Sequence, residues 1–298
     1  MSLVYAFELY NCSVQSILPR LKIHTWGGLG SQLYAVALAV YLSEQFPRRK
    51  LQVVLHTGGV TRRNPEVMEL FPSFEYSYQD DFNHSSKSKS GEKIPSGSNV
   101  RLLIKKMLLK LHFVSHCNND KETRNVRFWT LSIRGHYSYR NIDRQFLFML
   151  RDALKVDALF EDVSAVCSIH YRLGDLLSLD EKSPISENCV RAEYFKVNKG
   201  EQFNETLVFS DSPTEARARF SKFISQNLHT PEASTQQVIA SAIQSAYFIG
   251  TSSKISFWIA SIRAICFSSE SSLPSKNFPQ YKGLFQDGVS LISPYVTD

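Results

Sequence analysis

Short β-rich runs alternate with helical patterns along this chain, and this alternation limits the fold more than any other feature. LKIHTW, at residues 21–26, leads into the glycine turn GGLGSQ, the apolar helical pattern LYAVALAVYLSEQF and a second β-rich run, LQVVLHT, at residues 51–57. Strand, turn, helix and strand in this order predict a βαβ unit, and therefore a parallel sheet.

The same alternation returns in the second half of the chain. VSAVCSIHYR (163–172), LVFSDS (207–212) and SAYFIGTSSKISFWIASIRAI (from Ser245) each contain a strand candidate followed by a turn or helix. A length of 298 residues suits two domains of ordinary size better than one. We therefore predict an α/β protein with two Rossmann-like domains, residues 1–155 and 156–298, which face each other across a ligand cleft.

Composition and charge narrow the class of protein. No run approaches the roughly 20 apolar residues of a membrane-spanning helix, and the five cysteines are scattered, without a CxxC pair. This cysteine usage is typical of a reducing compartment, so we expect a cytoplasmic protein. The net charge of +6 favours anionic small molecules or an anionic membrane surface as partners. Nothing in the sequence resembles a nucleic-acid recognition pattern.

Two segments interrupt the alternation. Residues 84–99, HSSKSKSGEKIPSGSN, are rich in Ser, Lys and Gly, and we predict a mobile insertion in the first domain. Residues 101–116, RLLIKKMLLKLHFVSH, have the pattern of a basic, apolar helix. Its part 101–114 fits a core helix with lysine stems along its rim, which we favour, or a helix that lies peripherally on an anionic membrane.

Two strand-to-turn segments predict an anion site. In TWGGLGSQ (25–32) the turn exposes backbone N–H groups at a helix N-terminus, where phosphate binds; the alternative is a tight turn with positive φ. In SIHYRLGDLL (168–177) His170 and Arg172 lie on one face of a strand end, with Asp175 after the turn at Gly174. The Arg172 guanidinium suits a phosphate pair, although a salt bridge is the alternative.

Two further segments support the same interpretation. Ser252, Ser253 and Lys254 follow a strand and begin a helix, so they could bind a diphosphate, or a serine could be an ordinary N-cap. Asp211, at the end of another strand, could contact a ribose or a base edge, although an N-cap is the more usual role.

The sequence gives little support for a metal site. No Asp-x-Asp motif is present, which argues against a diphosphate held through a divalent cation. His112, His116 and Cys117 are spaced like metal ligands, but no fourth ligand accompanies them. We therefore predict no metal.

Four segments in this order resemble motifs of the α-1,2-fucosyltransferase family, glycosyltransferase family 11. They are GGLGSQLY, IHYRLGD, VFSDS and IGTSSKISFWIASI, and RGHYSY is comparable with the family's GYxQS stretch. IHYRLGD is the most specific match, to HxRxGD. The chain departs from the family at Ser31, which replaces Asn, at Gly250-Thr251, which replaces Ala-Asn, and at Lys254, which interrupts the last motif.

The resemblance implies a GT-B architecture and an inverting, metal-independent transfer of fucose from GDP-fucose, without a cofactor. The implied acceptor is a sugar hydroxyl of a bacterial surface glycan precursor, as in lipopolysaccharide O-antigen or capsule synthesis, and it could be lipid-linked. A transferase of the same fold with another nucleotide sugar, or a non-catalytic nucleotide- or glycan-binding module, stays open. We expect Arg172 to be catalytic, and Asp175, Asp180 and Glu181 are the candidates for the general base. The implied nucleotide-binding residues are Gly28, Gly30, Ser31, Gln32, His170, Arg172, Asp211, Ser252, Ser253 and Lys254.

Overall fold

A computed structural model of the chain contains two five-stranded sheets, and all the strand pairs in both are parallel. The structure describes residues 19–58, 62–82, 98–117, 120–123, 125–135, 144–155, 164–174, 184, 186–198, 203–224, 227–251, 253–267 and 289–291.

The first sheet is formed by residues 21–134 and has the strand order β3-β2-β1-β5-β4. Its strands are β1 (Leu21–Trp26), β2 (Leu51–His56), β3 (Tyr76–Gln79), β4 (Val114–His116) and β5 (Ser132–Arg134). The helices of this half are α1 (Leu29–Gln45), α2 (Val67–Leu70), α3 (Ser98–Lys110), α4 (Asp120–Thr123) and α5 (Arg144–Ala153).

The second sheet has the order β10-β9-β6-β7-β8, which is the doubly wound order of nucleotide-binding folds. Its strands are β6 (Ser164–His170), β7 (Glu205–Phe209), β8 (Leu228–His229), β9 (Ser245–Gly250) and β10 (Val289–Leu291). The helices are α6 (Glu187–Val197), α7 (Pro213–Phe220), α8 (Thr235–Gln244) and α9 (Lys254–Phe267). The predicted α/β class with two Rossmann-like sheets is confirmed.

Helix α9 joins the two halves of the molecule. Trp258 is fully buried and its indole Nε1 donates to the Gly30 carbonyl at 2.9 Å. Its ring lies 4.7 Å from the ring of Tyr34 and 5.6 Å from that of Phe146, which belong to α1 and α5. Helices from both halves thus share one hydrophobic core, and the predicted boundary near residue 155 stays a prediction.

Close packing of α1 against α9 depends on Gly30. A Cβ at this position would lie 2.8 Å from the Lys254 Cβ and 3.2 Å from the Ile255 amide nitrogen, which is closer than side chains pack. Because Gly30 has no side chain, the N-termini of α1 and α9 can lie next to each other. This contact sets the geometry of the site described below.

Helix α3 is shorter and more exposed than the sequence predicts. It ends at Lys110, His112 adopts a φ of 57°, and residues 114–116 form β4. Leu103, Ile104 and Met107 are 68%, 50% and 56% exposed, so the favoured interpretation of a core helix is wrong for this face. Among the described helices, none combines the length and apolar character needed to cross a membrane.

Candidate functional site

A cleft of about 340 Å³ lies at the carboxyl ends of the first sheet and is bordered by α9. Because parallel strands end at the same edge of a sheet, residues distant in sequence meet there. Thr25 and Trp26 end β1, while His116 and Arg134 end β4 and β5. The lining residues are Thr25, Trp26, Ser31, His116, Arg134, Gly135 and Lys254.

Lys254 connects the two halves at this cleft. Its Nζ donates to Ser31 Oγ at 3.0 Å and lies 5.7 Å from the centre of the Tyr34 ring. Burial of the ammonium, together with the positive charge of Arg172, lowers the pKa of Lys254 to about 8. Ser31 and Lys254, which the sequence predicted from separate motifs, are therefore in contact. Arg172, which was also predicted, is a second cation near them.

The glycine turn before α1 contains one residue that must be glycine and that sequence reasoning missed. Gly27 has a φ of 114°, and a Cβ there would lie 2.8 Å from Ser31 Oγ. Gly28, which was predicted, has a φ of −74°, and a Cβ there would touch only Arg63 Nη1 at 3.9 Å. The positive-φ alternative for this turn is thus confirmed, at Gly27.

Gln32 supports the turn and does not line the cleft. Its side chain is buried, and its Nε2 donates to the carbonyls of Gly27 (3.1 Å) and Asn64 (2.6 Å). Its Oε1 accepts from the Val67 backbone N–H at 3.0 Å. Because the amide makes these bonds to the backbone, Gln32 has a structural role in the turn, and its predicted contact with a nucleotide stays a prediction.

The predicted His170 is the last residue of β6, and the predicted Arg172 lies two residues further along the chain. His170 Nδ1 lies 2.7 Å from Ser256 Oγ, and burial lowers the pKa of His170 to about 4, so the imidazole is neutral near pH 7. The Thr251 hydroxyl donates to the His170 carbonyl and accepts from the Arg172 backbone N–H. Thr251 thereby ties the segment that carries Arg172 to the turn before α9.

Gly174 is required for the approach of Asp211. One carboxylate oxygen of Asp211 accepts from the backbone N–H of Leu173 at 2.9 Å and of Gly174 at 2.7 Å. A Cβ at Gly174 would overlap this carboxylate. Asp211 therefore fixes the loop after β6, and it is not the N-cap of α7, a position that Ser212 occupies. Its predicted contact with a nucleotide stays a prediction.

Ser253 directly precedes α9, and its Oγ accepts from the Ile255 backbone N–H at 3.2 Å. The N-cap alternative for this serine is thus supported. Most of the predicted insertion lies outside the described residues, as do Ser252, Asp175, Asp180 and Glu181, so their predicted roles stay predictions. Within the part of the chain that the structure describes, no three His, Cys, Asp or Glu side chains are grouped to hold a metal ion.

A chain of polar side chains beside the cleft was also missed. His24 Nδ1 lies 2.9 Å from His56 Nε2, and His56 Nδ1 lies 2.8 Å from Asp81 Oδ2. The His56 ring stacks on Trp26, with 4.2 Å between ring centres. The only signal in the sequence was a histidine near the end of each of two neighbouring strand candidates, which does not reveal the pairing.

Comparisons with known proteins give structural neighbours only. No family model matches the chain, and no curated protein matches its sequence. The E. coli heptosyltransferase WaaC with ADP is similar with a TM-score of 0.45 and 10% identity over 92% of this chain and 93% of that chain. A family 9 glycosyl transferase from Veillonella parvula has a TM-score of 0.44, with 11% identity over 96% and 90%. The α-1,6-fucosyltransferase NodZ, soaked with GDP-fucose, has a TM-score of 0.42, with 11% identity over 81% and 92%.

Proposed function

We propose that the chain is a nucleotide-sugar glycosyltransferase of GT-B architecture. The observation that carries this proposal is the meeting of Lys254 with Ser31 across the two halves, close to Arg172. Two cations near each other, one of them at the N-terminus of α9, favour a ligand with concentrated negative charge, such as a diphosphate. None of the described residues that line the cleft carries a carboxylate.

This arrangement suits a group transfer with a diphosphate leaving group. The bond between the anomeric carbon and the β-phosphate oxygen breaks, and the acceptor hydroxyl oxygen bonds to that carbon from the opposite side. The hydroxyl proton passes to a general base, and the bond electrons stay on the diphosphate. Arg172 and Lys254 would stabilise this developing charge, without a metal ion or cofactor, because they are fixed in place before the reaction.

The motif resemblance supports a more specific proposal. GDP-fucose would be the donor, and a sugar hydroxyl of a bacterial surface glycan precursor would receive fucose in an α-1,2 linkage. Cationic contacts to a diphosphate do not select the sugar, so a transferase with another nucleotide sugar is the alternative. A non-catalytic binding module is the second alternative, and it would bind GDP without turnover.

A donor panel tests this proposal. We expect GDP and GDP-fucose to raise the melting temperature, and stabilisation by UDP but not GDP would contradict the proposed donor. With a glycan acceptor, Arg172→Ala is expected to lower kcat by about two to three orders of magnitude, the scale for loss of one donor to a developing anion. Arg217→Ala, which removes an exposed arginine from α7, is the matched control. Equal turnover of the two variants would refute the role of Arg172.

We also propose that the exposed face of α3 rests on an anionic membrane. Leu103, Ile104 and Met107 are more than a third exposed, and the exposed Lys106 and Lys110 lie on the same helix. An apolar face flanked by lysines matches the interface of an anionic bilayer, where each basic residue contributes about 1 kcal/mol. A lipid-linked acceptor would be available there.

Sedimentation with vesicles tests the membrane contact. The protein should sediment with phosphatidylglycerol vesicles and stay in solution with phosphatidylcholine vesicles. Met107→Ser should weaken sedimentation several-fold, because an apolar side chain no longer enters the bilayer. The control Phe195→Ser, at an exposed aromatic residue of α6, should leave sedimentation unchanged. Absence of sedimentation with both lipids would exclude a membrane contact.

A further inference from the structure

A hydrogen-bonded chain of three side chains runs across the first sheet next to the cleft. It starts at Asp81 after β3, continues through His56 at the end of β2 and reaches His24 on β1. Both imidazoles are buried. The proposed binding of a nucleotide diphosphate by Arg172 and Lys254 does not involve these three hydrogen-bonded side chains. Their arrangement therefore indicates a different role.

The hydrogen bonds hold the His56 ring from both sides. Although burial opposes it, hydrogen bonds from His56 and the Gly58 backbone N–H lower the pKa of Asp81, so its carboxylate is ionised and accepts from His56 Nδ1. On its other side the His56 ring is held by the contact of its Nε2 with His24 Nδ1, at 2.9 Å. Burial, followed by the charge of Arg134, lowers the pKa of His24 to about 4, and this ring is therefore neutral. The bonds on both of its nitrogens fix the His56 ring in one orientation.

The fixed His56 ring supports Trp26. The planes of the two rings are 19° apart and their centres 4.2 Å apart, so the imidazole covers one face of the indole. Trp26 is partly exposed and lines the cleft. A half-buried aromatic ring with a rigid support is suited to bind a flat, partly apolar ligand at low entropic cost.

We propose that Trp26 is the platform for a pyranose ring of the acceptor, with His56, Asp81 and His24 as positioning residues. This proposal rests on the proposed transferase function. One face of a pyranose carries mostly C–H groups, which pack on an aromatic ring, while its hydroxyl groups point outward to polar partners.

The walls of the cleft supply such polar partners. Arg134, His116 and Thr25 line it together with Trp26, and all lie on the strands of the first sheet. Lys254, which comes from α9, also lines the cleft, and the diphosphate is proposed to bind beside it. The acceptor sugar would thus be on the first sheet and face the donor bound by the second half.

Saturation-transfer NMR with methyl β-galactoside, β-glucoside and β-N-acetylglucosaminide, each with and without GDP, tests the platform. We expect wild-type protein to bind at least one of these glycosides. Trp26→Ala should weaken its binding about tenfold, the scale of one aromatic contact, while Trp26→Phe keeps most of it. Trp129→Ala, at an exposed tryptophan that does not line the cleft, should bind like the wild type. The Kd for GDP should stay within twofold in all variants, which also shows that they are folded.

The positioning role has a separate kinetic readout. His56→Ala should raise the acceptor KM several-fold and leave the donor KM unchanged, since the indole loses its support. His56→Phe, which keeps a ring behind the indole, should restore most of the acceptor affinity. Equal KM values for His56→Ala and the wild type would overturn the role of His56.

The proposal is overturned if wild-type protein binds none of the three glycosides, or if Trp26→Ala binds them as tightly as the wild type. Failure of the transferase function would look different. In that case the glycosides bind in a Trp26-dependent manner, but no nucleotide sugar releases its nucleotide in their presence, and Trp26 is then the platform of a glycan-binding module.

Discussion

Nucleotide affinity should fall when the pH rises through the pKa of Lys254. This pKa is lowered to about 8 because the ammonium is buried and lies near the charge of Arg172. A diphosphate binds the protonated ammonium, so binding becomes weaker as the lysine loses its proton. With a pKa of about 8, the lysine is about 90% charged at pH 7 and about 10% at pH 9, so the affinity should fall about tenfold between these values.

Isothermal titration with GDP at pH 7, 8 and 9 measures this fall. Lys254→Arg is the matched control, since a guanidinium stays charged over the whole range and should remove the part of the pH dependence that comes from the lysine. Lys254→Met should bind GDP about ten- to a hundredfold more weakly at pH 7, as expected for the loss of one charged hydrogen bond.

Proton uptake on GDP binding gives a second test of the role of Lys254. Binding near pH 8 should take up protons, which titrations in two buffers of different ionisation enthalpy detect. The reasoning is refuted if wild-type affinity is the same at pH 7 and pH 9, or if Lys254→Arg shows the same fall as the wild type. Either result would mean that the ammonium does not meet the diphosphate.

Two further predictions concern stability and are measured by urea unfolding. Gly174→Ala should lower the free energy of unfolding by about 1–3 kcal/mol, because a Cβ displaces the Asp211 carboxylate from two backbone N–H groups. Gly28→Ala is the control: a Cβ there meets no atom closer than 3.9 Å, so the free energy of unfolding should change by less. Arg263→Leu should cost about 2–4 kcal/mol, because its buried guanidinium donates to four carbonyls between the end of α8 and the start of β9. The exposed Arg217→Leu is its control, and equal unfolding curves for the two arginine variants would contradict this role.

Local patterns were enough to predict most of the elements. LKIHTW and LQVVLHT became β1 and β2, and the alternation of strand and helix predicted two parallel sheets, because the period of apolar residues depends on neighbours along the chain. The predicted helix at 101–116 shows the limit of this reasoning. Its apolar residues fit a buried helix equally well, and only the packing of the sheet leaves Leu103 and Met107 exposed.

The partners of the site residues depended on the tertiary structure. The sequence identified Ser31 and Lys254 separately, but their contact joins residues 223 positions apart and requires α1 and α9 to pack at Gly30. The chain of Asp81, His56 and His24 likewise exists because the order β3-β2-β1 places these three strands side by side. The sequence by itself determined which segments are strands and helices and which of them carry polar ends. Strand order and helix packing decided which of those ends meet, because such contacts arise from long-range burial and not from local periodicity.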